Sequence, residues 1–431
     1  MLLSTGCHRS ETTDPTEPVG SDADKIPIRV AVYAEEALAK QIELGWQGVS
    51  EHPATATSVT GRPLVDVARE SDVIVMPAKM IGQAVKTQAI AAFPESFVVG
   101  DALGFEQFFS QLRQMQVRWG RSVVGLPLGS PVAMTLVRDD VAVPDEGQPL
   151  SFAQFSKLAA EVSQSKPSAA EPLAEGEAAI SFLRRAAAYT SSPWLFDVET
   201  FDPEIAGPSY IRALSEMVAD RKHYPAELLT AKQIWRRLNE GELKLAIGWP
   251  VNTDEESDSA SIKILPAPVA DEVFAMSWKS VDEGSPRRGV LHSDGLIVAI
   301  SSACRQSSAS RNLAMWMVHE GHAGLQRTSP WISTVRSPID SETGSRLQTA
   351  AALQYDRLAA DGLTYMVAHP MLRIPHAEEY LAALDQHVLD ALAGNRSPEE
   401  SLQNAADAWR NLNQKLGTED QKNAWSEGRG Y

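Results

Sequence analysis

The residues that could support metal binding or catalysis are spaced unsuitably for either. His319 and His322 are three residues apart, with Glu320 and Gly321 between them. A helical zinc site needs histidines four residues apart, so that both rings share one face of the helix. The acidic pair Glu35-Glu36 could serve acid and base chemistry, but chance pairs are expected among 56 acidic residues. The spacings therefore predict no metal site, no catalytic residue and no enzyme.

Other cofactor and nucleophile motifs are missing from the sequence. The glycine-containing segment 125–130 lacks the lysine of a phosphate-binding loop, and Pro127 and Pro131 remove backbone N–H donors there. The chain has no nucleophile elbow, dinucleotide fingerprint or Cys-x-x-Cys pair. With only Cys7 and Cys304, a disulfide framework is excluded, and we expect Cys304 to be a small core residue. We expect no cofactor.

Composition limits the class of protein and its partners. The chain has 431 residues, of which 39 are Lys or Arg and 56 are Asp or Glu, for a formal net charge of -17. This balance disfavours nucleic acid as a partner. No apolar run approaches the roughly 18 residues that cross a bilayer. Single cores stop growing near about 250–300 residues, so the length favours two lobes.

The first 25 residues divide into an apolar start and a polar tether. Small residues precede Cys7, as in the lipobox of bacterial lipoproteins. Residues 8–25 carry almost no large apolar side chain and cannot offset the entropy of ordering. We expect 1–25 to be a truncated lipoprotein signal and flexible tether, with Cys7 as the lipidation site. The alternative is a frayed terminus with an incidental cysteine.

Strands and helices alternate at the start of the folded part. The pattern predicts a strand at 28–33, a helix at 34–44 and a second strand at 72–76. Such alternation is typical of an α/β layer with a mostly parallel sheet, whose ligands bind at the carboxyl ends of its strands. The segments 33–36 and 77–79 are therefore candidate parts of a cleft.

Capping boxes and strand patterns organise the remainder of the chain. Three helices are predicted to begin where a hydroxyl is followed three residues later by an amide or carboxylate, at Ser151 with Gln154, Thr230 with Gln233, and Ser397 with Glu400. Strand patterns occupy 244–248, 262–268 and 296–300, and the segment 166–177 is interpreted as a loop or insertion. The second half is therefore helix-rich with strands of its own.

Six short segments, taken in order, carry a resemblance to a known family. They are 125–127 leading to 136–140, 150–154, 238–250, 265–268, 373–375 and 379–381. Their order resembles the family 1 extracellular solute-binding proteins of ABC importers, the group that includes maltose-binding protein. The resemblance covers roughly residues 26–417, and Val137-Arg138, where relatives have Tyr-Asn, marks a divergent member.

The resemblance implies an α/β, two-lobed periplasmic-binding-protein fold of type II. Each lobe would be a sheet flanked by helices, with several interlobe crossings of the chain. The N-lobe would comprise 26–133 and 267–333, and the C-lobe 134–266 and 334–431. Hinge segments are expected near 132–137, 266–268 and 333–336. Ligand contacts made with both lobes would favour a closed form.

The resemblance also directs attention to aromatic residues, because sugar rings stack their C–H faces on aromatic rings. Trp249 is the first candidate, since it ends the 244–248 strand and precedes Pro250; the alternative is a tryptophan of the lobe core. Trp331 adjoins the expected crossing, and packing is its alternative as well. Trp194 is a further candidate.

Four charged residues complete the expected ligand-binding set. Glu35 and Lys79 follow predicted strands, Asp294 precedes one, and Arg336 lies at an expected crossing. Each could donate or accept hydrogen bonds in the cleft, and the alternative for each is a solvated surface charge. Ser293 and Gly295 favour a tight turn around Asp294.

The resemblance, taken with these features, implies the substrate-binding component of an ABC importer. It would capture a small polar solute between two lobes by hinge closure, and a sugar is the solute that we expect first. The alternative is a periplasmic solute sensor that presents its closed form to a signalling receptor. The expected partners are the solute, ABC permease subunits and a membrane reached through a lipid anchor at Cys7. We expect a monomer, located in the periplasm or cell envelope.

Overall fold

The computed structural model describes residues 26–144, 148–190, 193–251, 262–271, 287–333, 335–336 and 350–429. The predictions for residues 1–25, including Cys7, lie outside these ranges. The strands are β1 Ile28–Val32, β2 Ala54–Ser58, β3 Val73–Pro77, β4 Ile90–Ala91, β5 Arg118–Trp119, β6 Ser122–Val123, β7 Leu126–Pro127, β8 Met134–Arg138, β9 Ala169–Ala170, β10 Leu245–Gly248, β11 Ile262–Pro266, β12 Arg287–Val290, β13 Leu296–Ser301 and β14 Met366–His369.

Helices alternate with these strands through the described residues. They are α1 Glu36–Gln47, α2 Leu64–Glu70, α3 Ile81–Lys86, α4 Glu95–Val98, α5 Phe152–Val162, α6 Ala178–Tyr189, α7 Pro208–Asp220, α8 Ala231–Asn239, α9 Ser307–Val318, α10 His322–Gln326, α11 Ala350–Tyr365, α12 Ala377–Leu392, α13 Pro398–Leu416 and α14 Thr418–Gly428. The three predicted capping boxes are confirmed, because Ser151, Thr230 and Ser397 each accept from the backbone of the third helical residue.

The first lobe is built on a six-stranded sheet. Its order is β2-β1-β3-β13-β4, with β7 also paired to β13. Strands β1, β2 and β3 run parallel, whereas β13 is antiparallel to β3, β4 and β7. The prediction of a mostly parallel sheet is therefore correct for the first three strands only. It is wrong for the rest because β13 enters the sheet late in the chain and in the opposite direction.

The second lobe has a smaller sheet of its own. Its order is β11-β8-β10-β9, with β8 antiparallel to both β10 and β11 and with β9 parallel to β10. Helices α5, α8 and α11 pack on this sheet. The interpretation of 166–177 as a loop is wrong in part, since β9 lies there and Glu171 is buried beside it. An Ala-Ala strand carries too little sequence pattern to be predicted.

A two-stranded ribbon lies apart from the two larger sheets. Strand β12 pairs in parallel with β14, in the register Arg287 to Met366 through Val290 to His369. The crossing predicted near 333–336 stays a prediction. There, Phe109 N donates to Val335 O at 3.0 Å and Arg336 pairs with Phe108, so both residues still lie on the first lobe. Thr334 is outside the described residues.

The carboxyl-terminal helices contact both lobes. Helix α12 packs on α6 and on the turn that follows β3, and α14 packs on β5. Trp119 Nε1 donates to Glu427 Oε2 at 2.7 Å, and the Arg373 guanidinium donates to Gly428 O. The lobe boundaries stay a prediction. No helix in the ranges given above is both long and apolar enough to span a membrane.

Candidate functional site

An ion pair marks the edge where two strands of the first sheet meet. Because β3 and β13 are antiparallel, Pro77 at the end of β3 lies opposite Leu296 at the start of β13. This register brings Lys79 Nζ within 2.6 Å of Asp294 Oδ1, with each side chain 21% exposed. The turn around Asp294 is closed by Gly295 N, which donates to His292 O at 3.0 Å.

Three aromatic rings meet where the lobes join. Trp249 follows β10 of the second lobe, and its ring centroid lies 5.4 Å from His292 and 6.2 Å from Trp331. The His292 and Trp331 centroids are 5.1 Å apart. Burial, with the nearby charges of Arg184 and Lys79, lowers the pKa of His292 well below its ordinary value. The ring is therefore neutral, and its Nδ1 accepts from Asp294 N at 3.1 Å.

The cationic side chain of Arg184 lies against the Trp249 ring of this aromatic cluster. The Arg184 guanidinium carbon on α6 lies 4.9 Å from the centre of the Trp249 ring. The whole side chain is half-buried, but its Nη2 is sealed from solvent and has no hydrogen-bond partner within the described part of the chain. Burial lowers the pKa of Arg184 to about 10, although Glu177 acts in the opposite direction. The guanidinium is thus cationic and incompletely compensated.

Glu177 lies immediately before α6 and holds the start of another helix. Its Oε2 accepts from Ala231 N, at the first residue of α8, at 2.9 Å. Burial raises the pKa of Glu177 to about 7, and the charges of Asp294 and Asp385 raise it too, whereas Ala231 N and Arg184 lower it. This carboxyl therefore titrates near neutral pH.

A wide cavity of about 570 Å³ lies between the two lobes. Glu35 and Gln41 border it from the first lobe, and Lys232 borders it from the second. Val251 and Pro330 also line it; they lie two residues after Trp249 and one residue before Trp331. The cavity thus reaches the neighbourhood of the aromatic cluster.

The structure brings together four of the predicted ligand-binding residues. Lys79, Asp294, Trp249 and Trp331 are linked through His292, by the contacts given above. Trp331 is half-buried, but Trp249 is only 1% exposed. Glu35 is exposed at the cavity, where Ser329 Oγ donates to it at 3.4 Å.

Trp194 is packed inside the second lobe, away from this group. It is 6% exposed, and its ring stacks on His369 at 4.4 Å and on Tyr210 at 5.7 Å. Its Nε1 donates to Pro370 O at 2.8 Å. The indole therefore already has its partners within the protein, and the geometry favours packing over a cleft contact.

Arg336 is held on the first lobe. Its Nη2 donates to Leu103 O at 3.0 Å, and its guanidinium carbon lies 4.1 Å from the centre of the Phe108 ring. Arg336 also contacts His319. This arrangement favours a packing role on the first lobe for Arg336 over the expected role as a cleft residue at a crossing.

Sequence reasoning missed Arg184, Glu177 and His292. Arg184 lies on α6, and a charged residue on a helix ordinarily suggests a solvated face. Glu177 lies at the end of a segment interpreted as a loop, and His292 has no pattern beyond its position beside Ser293 and Asp294. Only the Ser293 and Gly295 pattern, which predicts a tight turn before β13, pointed to this part of the site.

Metal and thiol chemistry find no support in the part of the chain described. No group of three His, Cys, Asp or Glu side chains there could hold a metal ion. Cys304 is half-buried rather than fully buried, and its Sγ lies 3.3 Å from Ser310 Oγ.

Solved structures match most of the chain at low sequence identity. The maltose-bound MalE3 of T. maritima is 16% identical, with a TM-score of 0.69 over 90% of this chain and 99% of that one. The fold is that of the two-lobed periplasmic binding proteins. A solute-binding protein of an ABC transporter from Agrobacterium radiobacter K84, in complex with ribitol, is 14% identical with a TM-score of 0.69, over 90% of this chain and 99% of its own.

A third periplasmic binding protein shows the same likeness. The sugar-binding protein MalE of Xanthomonas citri is 13% identical, with a TM-score of 0.66 over 89% of this chain and 96% of its own. No protein-family model matches the chain, and no curated protein matches it by sequence. The likeness therefore establishes the fold.

Proposed function

We propose that this protein is the substrate-binding component of an ABC importer, and that it captures a small polar solute between its lobes by hinge closure. The observation that carries the proposal is the 570 Å³ cavity, whose walls come from both lobes. A solute held there makes contacts with both lobes at once, and such contacts stabilise a closed form over an open one.

A carbohydrate suits the groups around this cavity. Glu35, Gln41 and Lys232 offer acceptors and donors for hydroxyl groups, while Trp331 offers a half-buried aromatic face nearby. Sugars present both kinds of surface, polar hydroxyls and apolar C–H faces. The ion pair of Lys79 and Asp294 would extend the polar wall on the first lobe.

Trp249 is the proposed stacking residue of the second lobe. Its indole Nε1 is buried and has no acceptor among the residues described, which is a costly state for a donor. A solute hydroxyl would supply that acceptor. Because the ring is 1% exposed, the solute would reach it only after the lobes part.

A thermal-shift screen of sugars and polyols, beginning with the maltose and ribitol named for the similar structures, tests the proposal first. We expect at least one solute to raise the melting temperature and to reduce the radius of gyration in small-angle scattering. A solute that calorimetry shows to bind, but that leaves the scattering curve unchanged, would contradict hinge closure.

Trp249→Ala then tests the residue itself. Losing a stacked ring should weaken solute binding by about 30- to 150-fold, from roughly 2–3 kcal/mol of apolar burial. Trp46→Ala is the matched control, since Trp46 is 6% exposed and lies on α1 against Trp316. The control should lower the melting temperature and leave affinity unchanged. If Trp249→Ala behaves like the control, Trp249 is a packing residue.

The same proposal includes a lipid anchor at Cys7 and a place at the cell envelope beside permease subunits. It is supported by the lipobox-like start and the polar tether. The protein expressed in its native host should partition with membranes, and Cys7→Ala should release it. An unacylated product that stays in the soluble fraction of its native host would rule the anchor out.

A further inference from the structure

A second cavity, of about 130 Å³, lies beside the β12–β14 ribbon and the predicted hinge segments 132–137 and 266–268, apart from the interlobe cavity. Its walls come from α6 and α11, from the ribbon strand β12, and from the crossing segments around Val132 and Pro268. None of the residues that line the larger cavity lines this one. It is therefore a separate candidate site.

The walls of this hinge cavity are mostly apolar. Val132, Phe152, Val290, Leu358 and Leu363 are among its lining residues. Val132, Val290 and Leu358 keep partial exposure. An engineered cavity of about 150 Å³ with apolar walls binds benzene, so the volume suits a ligand with about six non-hydrogen atoms.

One part of the wall is cationic. Arg184 and Arg185 line the cavity, and Arg288 lines it as an exposed residue. Arg185 is already neutralised, because its guanidinium pairs with Glu171 and lies 3.0 Å from Asp220 Oδ2. Glu171 is the acidic residue of the lining, and it is committed to Arg185 and Tyr224. Of the two lining arginines on α6, Arg184 is the one whose charge remains available, and Arg288 adds an exposed cation to the lining.

The neighbours of Arg184 do not complete its hydrogen bonding. Its nearest aromatic partner, Trp249, offers a ring face, and the Glu177 carboxylate is engaged with Ala231 N. A buried guanidinium gains most from a carboxylate, which can accept two parallel N–H bonds. Within an apolar cavity, the best-matched ligand would carry one carboxylate and a short hydrocarbon chain.

We propose that the hinge cavity binds a short-chain monocarboxylate, with its carboxylate on the Arg184 guanidinium and its chain against Val132, Phe152 and Leu363. The proposal does not rest on the solute function proposed above. The site touches the crossing segments, so its occupant would lie against the part of the chain that must flex when the lobes move.

Butanoate is the probe, since it has as many non-hydrogen atoms as benzene, and butanamide is its neutral counterpart. In ligand-observed NMR titrations of the full chain, butanoate should bind about 10- to 100-fold tighter than butanamide, as expected for a charge-assisted hydrogen bond. Arg184→Met should remove that difference. Inorganic phosphate, which has the charge without the chain, should bind more weakly than butanoate.

A cavity-filling variant keeps the test independent of the arginine. A Cβ at Gly362 of α11 would lie 3.6 Å from Val132 Cγ1, an ordinary contact, so Gly362→Ala should fold and bind normally. Gly362→Leu should fill the space and abolish butanoate binding. The proposal is overturned if butanoate shows no saturable binding to the wild-type chain, if butanamide or phosphate binds equally well, or if Gly362→Leu binds like Gly362→Ala.

Discussion

Arg184 and Arg185 follow one another on α6, yet their surroundings differ sharply. Arg185 is 1% exposed and pairs with Glu171 and Asp220, while Tyr224 also donates to Glu171 at 2.6 Å. Arg184 lies against the face of Trp249, and its Nη2 finds no acceptor among the residues described. One arginine therefore completes a buried ionic network, and the other leaves a positive charge at the junction of the lobes.

The difference distinguishes the structural charge of Arg185 from the charge of Arg184, which could still pair with a ligand. The carboxylates around Arg185 compensate its burial, so that network stabilises the second lobe when all its members are present. A charge that stays under-compensated next to a cavity and an aromatic cluster is costly to the fold. Ionisable groups in such surroundings are concentrated at functional sites.

The largest effect should come from breaking the Arg185 network. Arg185→Met leaves Glu171 and Asp220 buried without their cation, which should cost about 3–5 kcal/mol of unfolding free energy. Chemical denaturation measures this directly. Arg236→Met is the control, because Arg236 is 54% exposed and pairs with Glu240 at the end of its own helix, and it should cost roughly 1 kcal/mol or less. Equal losses for the two variants would refute the contrast.

An intermediate effect should appear in the pH dependence of stability through Glu177. Its pKa is about 7 in the folded protein, above the ordinary 4.5, so the folded state holds the proton more tightly than the unfolded state. The resulting stability is present below about pH 4.5 and is lost as pH rises to about 7.

Comparing wild type with Glu177→Gln isolates that contribution, since an amide oxygen can still accept from Ala231 N. The difference in unfolding free energy between the two proteins should change by roughly 2–3 kcal/mol between pH 4.5 and pH 7. Parallel pH profiles would show that Glu177 is not held in its protonated form.

The smallest effect should come from Arg184 itself. Arg184→Met removes a poorly compensated charge and a ring contact, and we expect the unfolding free energy to change by less than about 1 kcal/mol. The Glu177 step should also move to higher pH, because Arg184 lowers the pKa of Glu177. A loss as large as that of Arg185→Met would mean that the two arginines play equivalent structural roles.

Local signals in the sequence predicted local structure well. A capping box involves residues three positions apart, so Ser151, Thr230 and Ser397 could be recognised without knowing the fold. Lys79 and Asp294 could be placed at strand ends for the same reason. That they form an ion pair depends on the register of β3 and β13, which lie more than two hundred residues apart.

Long-range partners could not be predicted from one sequence. Nothing in an Arg-Arg pair tells which arginine will meet Glu171, because that contact is set by how α6 packs on the segment after β9. Strand β12 begins with two arginines and a glycine, which is a poor strand pattern, and it is fixed by pairing with β14. The positions of Trp194 and Arg336 in the chain suggested ligand contacts in the cleft. In the folded protein, Trp194 packs on His369, and Arg336 packs on Phe108.

The position of β13 also constrains how this chain can be made. This strand lies between β3 and β4 in the first sheet, although it is encoded more than two hundred residues after β3. At about 5–20 residues per second of synthesis, roughly 10 to 45 s separate the emergence of β3 from that of β13. During that interval, β3 and β4 lack their shared neighbour and present unpaired backbone edges. The first sheet of the nascent chain therefore stays incomplete, and open to aggregation or to capture by a chaperone, until β13 has been translated.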